Sequence, residues 1–158
     1  LEQLFELVAP ASQVGRGVDR GVVGEAVDGE KRVGPRALDR FQQVNDHYGR
    51  QIGDRILGQL ADLIKANMRA TDHLARWSGD QFLVLAPDTD LEGASTLAEN
   101  LHQLIGAADF DPVAMLQATI GVTAYRAGDT VVELVERLEG ILHEAKHRGR
   151  NQVMVAEA

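Results

Sequence analysis

From Leu38 onward, apolar residues recur at two periods, and the switching between them marks out a series of elements. Ile56, Leu57, Leu60, Leu63 and Ile64 return every three or four positions, which gathers them on one face of a helix, with Arg69 near its expected end. Residues 73–77 and 82–86 flank the polar tetrad Ser78-Gly79-Asp80-Gln81, in which Gly79 can take a positive φ that other residues resist. This pattern predicts a β-hairpin. After Pro87, Asp90 is a candidate cap for a second amphipathic helix carrying Ala94, Leu97, Ala98, Leu101, Leu104 and Ile105 on one stripe. Residues 115–125, with Ile120 and Val122 at the middle, read as a strand. Val131, Leu134, Val135, Leu138, Leu142 and Ala145 give a third helix, and residues 151–155 a short closing strand. Helices interleaved with hairpin-connected strands predict an α/β (α+β) sandwich, a mainly antiparallel central sheet flanked by helices, with one face of the sheet covered.

Upstream the order is lost. Residues 12–36 are rich in Gly, Arg and isolated Val, follow neither period, and contain the break Gly34-Pro35. The expected division is therefore a segment 1–37, holding at most a helix end and a first strand region, and a domain over 38–158.

The 158 residues, 44% of them hydrophobic, suit one compact domain with its own core. With 16 basic against 24 acidic residues, net −8, the chain lacks the broad positive footprint that duplex nucleic acid or an anionic membrane selects. Neither is expected as a partner; a ligand with few phosphates is compatible. The absence of cysteine excludes disulfides and thiolate metal sites and fits a reducing compartment. No apolar run is long enough to span a bilayer and the first residues are too acidic for a secretory signal, so a cytoplasmic location is expected.

Five segments carry a resemblance. They are Leu38-Asp39-Arg40-Phe41-Gln42-Gln43-Val44-Asn45-Asp46-His47-Tyr48-Gly49, Gly53-Asp54, Arg69-Ala70-Thr71-Asp72, Ser78-Gly79-Asp80-Gln81-Phe82, and Ala145-Lys146-His147-Arg148-Gly149-Arg150-Asn151. In order and spacing they resemble the GGDEF family of diguanylate cyclase domains, over roughly the last three-quarters of the chain. The resemblance implies a palm-like fold related to nucleotide cyclases and polymerases, in which two protomers each hold one GTP and join them into cyclic di-GMP.

That reaction, attack of a 3′-hydroxyl on an α-phosphate with loss of pyrophosphate, needs a divalent metal and carboxylates to hold it. By resemblance Mg²⁺ is the cofactor when nucleotide is bound. Its ligands fall at Ala37, the Leu38 carbonyl and Asp80, with Asp39 able to shift and help weakly. The fourth signature position, normally a Glu near the reacting hydroxyl, is Gln81, and an amide neither takes a proton nor carries charge. Ala37 and Gln81 thus replace carboxylates, while Ser78 for the first Gly is a mild change. Taken alone, Ser-Gly-Asp-Gln is also an ordinary polar turn.

The resemblance places guanine reading on Asn45 and Asp54, whose amide and carboxylate offer the acceptors that guanine's N–H groups require; the same residues also serve commonly as turn, cap or helix-start residues. Lys146 and Arg150 match residues that hold the triphosphate, and four apart at a helix end they can face one anion, although cations also simply complement a helix C-terminus. Arg69 and Asp72 match the family's inhibitory site. There a guanidinium forks onto a guanine edge or phosphate and the carboxylate accepts from guanine N–H groups, against the plainer reading of a surface ion pair.

Family members place a buried apolar strand directly before the metal-binding stretch, whereas residues 30–37 here are Glu-Lys-Arg-Val-Gly-Pro-Arg-Ala, which disfavours a central strand. Three outcomes are open: the sheet recruits another segment near residues 18–27, it stays incomplete, or the residues before Leu38 come from a shifted reading frame. The functional expectation is a catalytically impaired domain that binds GTP or cyclic di-GMP as a regulatory module, alone or as a homodimer, under the sensor or effector domains of its parent protein. The alternatives are an active cyclase tolerating Gln81 and a ligand-free dimerisation scaffold.

Overall fold

In a computed structural model, residues 21–29, 40–78 and 80–156 are described, with side chains from 41 to 77 and from 80 to 156. Five strands, β1 (Gly21–Gly29), β2 (His73–Ser78), β3 (Gln81–Ala86), β4 (Leu116–Ala124) and β5 (Val153–Val155), form one sheet in the order β2-β3-β1-β4-β5. All neighbours are antiparallel except β4 and β5. Four helices complete the described chain: α1 (Arg40–Tyr48), α2 (Arg50–Ala66), α3 (Leu91–Ala107) and α4 (Val131–His147).

The central strand is β1, drawn from the poorly patterned upstream segment. It pairs with β3 from Gly21↔Ala86 to Ala26↔Gln81 and with β4 from Gly21↔Ala124 to Gly29↔Leu116. Backbone groups on both its edges are therefore satisfied along most of its length, which a central strand requires whatever its side chains. Residues 30–37 lie outside the described residues.

Helices cover both faces of the sheet, which corrects the expectation of a single covered face. On one side, Phe82, Val84, Ala118, Ile120 and Val122 pack with Phe41 and Val44 of α1, Ile56, Leu60 and Ile64 of α2, and Ala98, Leu101 and Ile105 of α3. On the other, Leu83 and Leu85 meet Leu134 and Leu138 of α4 beside Trp77 and Val135. Gly121 permits the close approach of α4: a Cβ there would stand 3.1 Å from Leu142 Cγ and 3.3 Å from Ile141 Cγ2. The polar residues of this face are buried but satisfied. Thr119 Oγ1 accepts from the Asn151 amide at 3.1 Å, and Thr123 Oγ1 from Arg137 Nε at 3.0 Å.

The start of α4 is fixed by a capping box, with Thr130 Oγ1 accepting from the Glu133 amide and Glu133 from the Thr130 amide. One turn further on, Arg137 ties α4 to β4. Its Nη2 donates to the Ala124 carbonyl at 2.9 Å and to Asp129 Oδ2 at 2.5 Å, and Asp129 also accepts from the Arg126 amide at 2.8 Å. Hydrogen bonds from Arg137, with help from Arg126, hold the Asp129 carboxyl below its ordinary value of 3.8. A depressed carboxyl contributes stability above its unfolded-state pKa and loses it as pH falls through the folded-state value. Urea unfolding followed below about pH 4 is therefore expected to show the parent losing stability more steeply with falling pH than Asp129→Asn; parallel acid limbs would contradict this.

Candidate functional site

The hairpin between β2 and β3 carries the signature. Ser78 pairs with Gln81, leaving a two-residue connection of Gly79 and Asp80, with the register shifting between Arg76 and Ser78. Gly79 itself lies outside the described residues, as does the side chain of Ser78. Asp80 is half-buried at the turn. Gln81 opens β3, half-buried, and lines a small apolar crevice with Trp77, Leu138, Glu139 and Leu142, so the signature sits against α4.

Asn45 lies in α1 and Asp54 in α2, on either side of the Gly49 junction, where the Gly49 amide donates to the Asn45 carbonyl at 2.8 Å. Asp54 is exposed. The residue that shapes the pair is Gly53: a Cβ built there would fall 1.8 Å from Asn45 Oδ1 and 3.6 Å from Nδ2. The Asn45 amide thus occupies the space a side chain at 53 would fill. Its Oδ1 is buried and accepts no hydrogen bond from any described residue. An orphaned buried acceptor is uncommon and costs about 1–3 kcal/mol, so this amide is held by packing rather than by a protein donor. In the sequence Gly53 stands in the Gly53-Asp54 segment with no role of its own; the signal for one is a glycine inside a helical pattern, where it costs up to about 1 kcal/mol relative to Ala.

Arg69 and Asp72 share one turn between α2 and β2. Asp72 Oδ2 accepts from the Arg69 amide at 2.8 Å and the Asp72 amide donates to the Arg69 carbonyl at 3.0 Å. The second oxygen, Oδ1, is buried with no hydrogen-bond partner among the described residues, while Arg69 is exposed. The pair is thus joined through the backbone, with its guanidinium directed to solvent rather than spent on the carboxylate.

Lys146 is half-buried in the last turn of α4, but Arg150 lies beyond the helix end. The helix stops in a Schellman arrangement: Gly149 takes φ 128° and the Arg150 amide donates to the Ala145 carbonyl at 3.1 Å. One-turn helical stacking therefore does not relate Lys146 to Arg150. Instead the loop carrying Arg150 is pinned from both sides, by Asn151 to Thr119 and by Gln152 Nε2 to the Ala145 carbonyl at 2.8 Å.

Of the side chains that the resemblance gives to Mg²⁺, the described residues hold one, Asp80. Mg²⁺ takes near-octahedral oxygen ligands. Ala37 offers no side-chain donor, its position and those of Leu38 and Asp39 lie outside the described residues, and no group of three or more His, Cys, Asp or Glu that could hold an ion occurs among the described residues. Nor is any helix among them long and apolar enough to cross a membrane.

Residues 36–152 match the family model described as "Diguanylate cyclase, GGDEF domain". Among curated relatives, the chain is 34% identical over 118 residues to diguanylate cyclase DgcM of Escherichia coli K12, covering 75% of this chain and 29% of that protein. It is 36% identical over 123 residues to response regulator PleD of Caulobacter vibrioides, covering 74% of this chain and 27% of that one. The chain therefore spans less than a third of either relative. The solved structure of diguanylate cyclase SiaD with its activator SiaC, from Pseudomonas aeruginosa, superposes with a TM-score of 0.83 at 28% identity, covering 98% of this chain and 57% of that one. The GGDEF domain of DgcB from Caulobacter crescentus, in complex with c-di-GMP, gives 0.80 at 20% identity, covering 99% and 88%; at that identity the likeness shows the fold alone.

Proposed function

From the premise that this chain belongs to the GGDEF family of diguanylate cyclase domains, we propose that it is an impaired member that binds GTP and cyclic di-GMP but does not join two GTP molecules. The observation that carries this reading is that the sequence keeps Asn45 and Asp54 at the positions the family resemblance gives to base reading, while Ala37 and Gln81 stand where it gives carboxylates. Asn45 keeps a bare acceptor packed on Gly53, and rotation of its amide presents that acceptor to guanine N–H groups; Asp54 supplies a second. Lys146 and Arg150 are the proposed contacts to the phosphates. GGDEF cyclases generally use Mg²⁺, and here one carboxylate, Asp80, stands where a metal ligand is expected, beside Gln81, which takes no proton. Binding without turnover suits a regulatory module in the cytoplasm, where GTP is made, with a second copy or neighbouring domains of the parent protein reading its state.

Arg69 and Asp72 are the proposed second cyclic di-GMP site. A guanidinium turned to solvent can fork onto a guanine edge or phosphate, and charged hydrogen bonds of this kind contribute about 1.5–3 kcal/mol. Titration with cyclic di-GMP is therefore expected to give saturable binding weakened roughly 10- to 100-fold by Arg69→Ala. Equal affinity in parent and variant would remove this site from the account. The relatives' description as diguanylate cyclases favours a second reading, an active enzyme that tolerates Gln81; product formation from GTP separates the two.

A further inference from the structure

The C-terminal half of α4 carries a feature that the nucleotide reading does not use. His143 and His147, four residues apart and both exposed, bring their rings to a centroid separation of 4.4 Å with planes inclined at 58°. We propose that these two imidazoles form a chelating site for a borderline transition-metal dication such as Zn²⁺.

Spacing and geometry agree. Residues i and i+4 of a helix lie one above the other on the same face. A metal about 2.0–2.1 Å from each ring nitrogen lies roughly 3.2 Å from each ring centre, so rings converging on one ion have centroids about 4.5 Å apart for ligands at a right angle and about 5.2 Å apart for a tetrahedral pair. The observed separation of 4.4 Å lies within about 1 Å of both, a difference that side-chain rotation closes without rearrangement of the helix. Imidazole nitrogen suits Zn²⁺, Ni²⁺ or Cu²⁺ and not Mg²⁺, so this ion is distinct from the one a cyclase uses with its nucleotide.

The other histidines are placed differently. His47 packs edge-on against Tyr48 with centroids 4.5 Å apart, His102 Nε2 lies 3.0 Å from Asn151 Oδ1, and His73 stands at the start of β2. The segment His143-Glu144-Ala145-Lys146-His147 also has the H-E-x-x-H form of zinc peptidases. Peptidase chemistry does not follow, because Glu144 is engaged by Arg148 and no third His, Cys, Asp or Glu completes a ligand set among the described residues. The site is a two-ligand surface chelate with its remaining positions open to water. An ion bridging the last turn of α4 would staple the helix end from which the Arg150 loop departs.

The test is calorimetric titration of the whole chain with ZnCl₂ in the absence of nucleotide, alongside His143→Ala, His147→Ala and His73→Ala, with melting temperature followed in each. Both α4 histidines are exposed, so loss of folding is not expected. One Zn²⁺ per chain is predicted, weakened at least about tenfold by either α4 substitution and unchanged by His73→Ala, with a zinc-dependent rise in melting temperature in the parent and the His73 variant alone. No zinc uptake at about millimolar concentration, or an affinity retained in either α4 variant, would overturn the proposal, since a chelate needs both rings.

Discussion

Gly53→Ala is expected to weaken GTP binding about 100-fold while leaving the domain folded. A Cβ at position 53 would stand 1.8 Å from Asn45 Oδ1 and 2.9 Å from its Cγ, so the clash persists when the amide turns over and the whole group must be displaced. The displaced group is the end of a flexible side chain, which makes the structural cost small, and replacing Gly by Ala inside a helix returns up to about 1 kcal/mol. Recognition has no such slack. A base-reading group misplaced by about 1 Å costs on the order of 100-fold, or about 2.7 kcal/mol. Stability and binding thus move in opposite directions, a result that general destabilisation cannot imitate. Titration with GTP and a urea melt on the same preparation check it; binding within about threefold of the parent would detach Asn45 from the nucleotide.

The largest stability effect is expected from Ile120→Ala. Ile120 is fully buried in β4, opposite Glu25 of the central strand and Val153 of β5, and its side chain belongs to the core shared by α1, α2 and α3. Truncation leaves a cavity that three helices and a sheet cannot collapse to fill, at a cost of about 3–4 kcal/mol. For a chain of this size that lowers the melting temperature by roughly 10 °C. A shift under about 3 °C would mean that the interior at β4 is loosely packed.

The elements with a clear period are legible in the sequence itself. The hairpin around residues 78–81, the stripes of α2, α3 and α4 and the strand β4 all stand where the alternation of apolar residues places them. Three features are less legible, each for its own physical reason. β1 contains Gly, Glu and Asp among its Val and Ala residues, and what makes it central is backbone pairing on both edges, which side-chain pattern does not encode. The second covered face escapes the pattern in β4, where Thr119, Gly121 and Thr123 read as a solvated alternation, although the unbroken apolar run 82–85 of β3 carries it. In the fold, the two hydroxyls are hydrogen-bonded under α4 and the glycine makes room for it. Lys146 and Arg150 show helical spacing in sequence, yet Gly149 ends the helix between them.

At the candidate site, the family motifs name the residues, and the fold supplies what spacing cannot: the dependence of Asn45 on Gly53, and the seat of Gln81 against Trp77 and α4.

The claim that binding outlives catalysis is tested most directly by calorimetric titration of the purified domain with GTP in excess Mg²⁺, the same sample being analysed for cyclic di-GMP and pyrophosphate. Saturable heat at about one GTP per chain with no product is the predicted result; steady release of pyrophosphate with formation of cyclic di-GMP, or the absence of any binding, would contradict it.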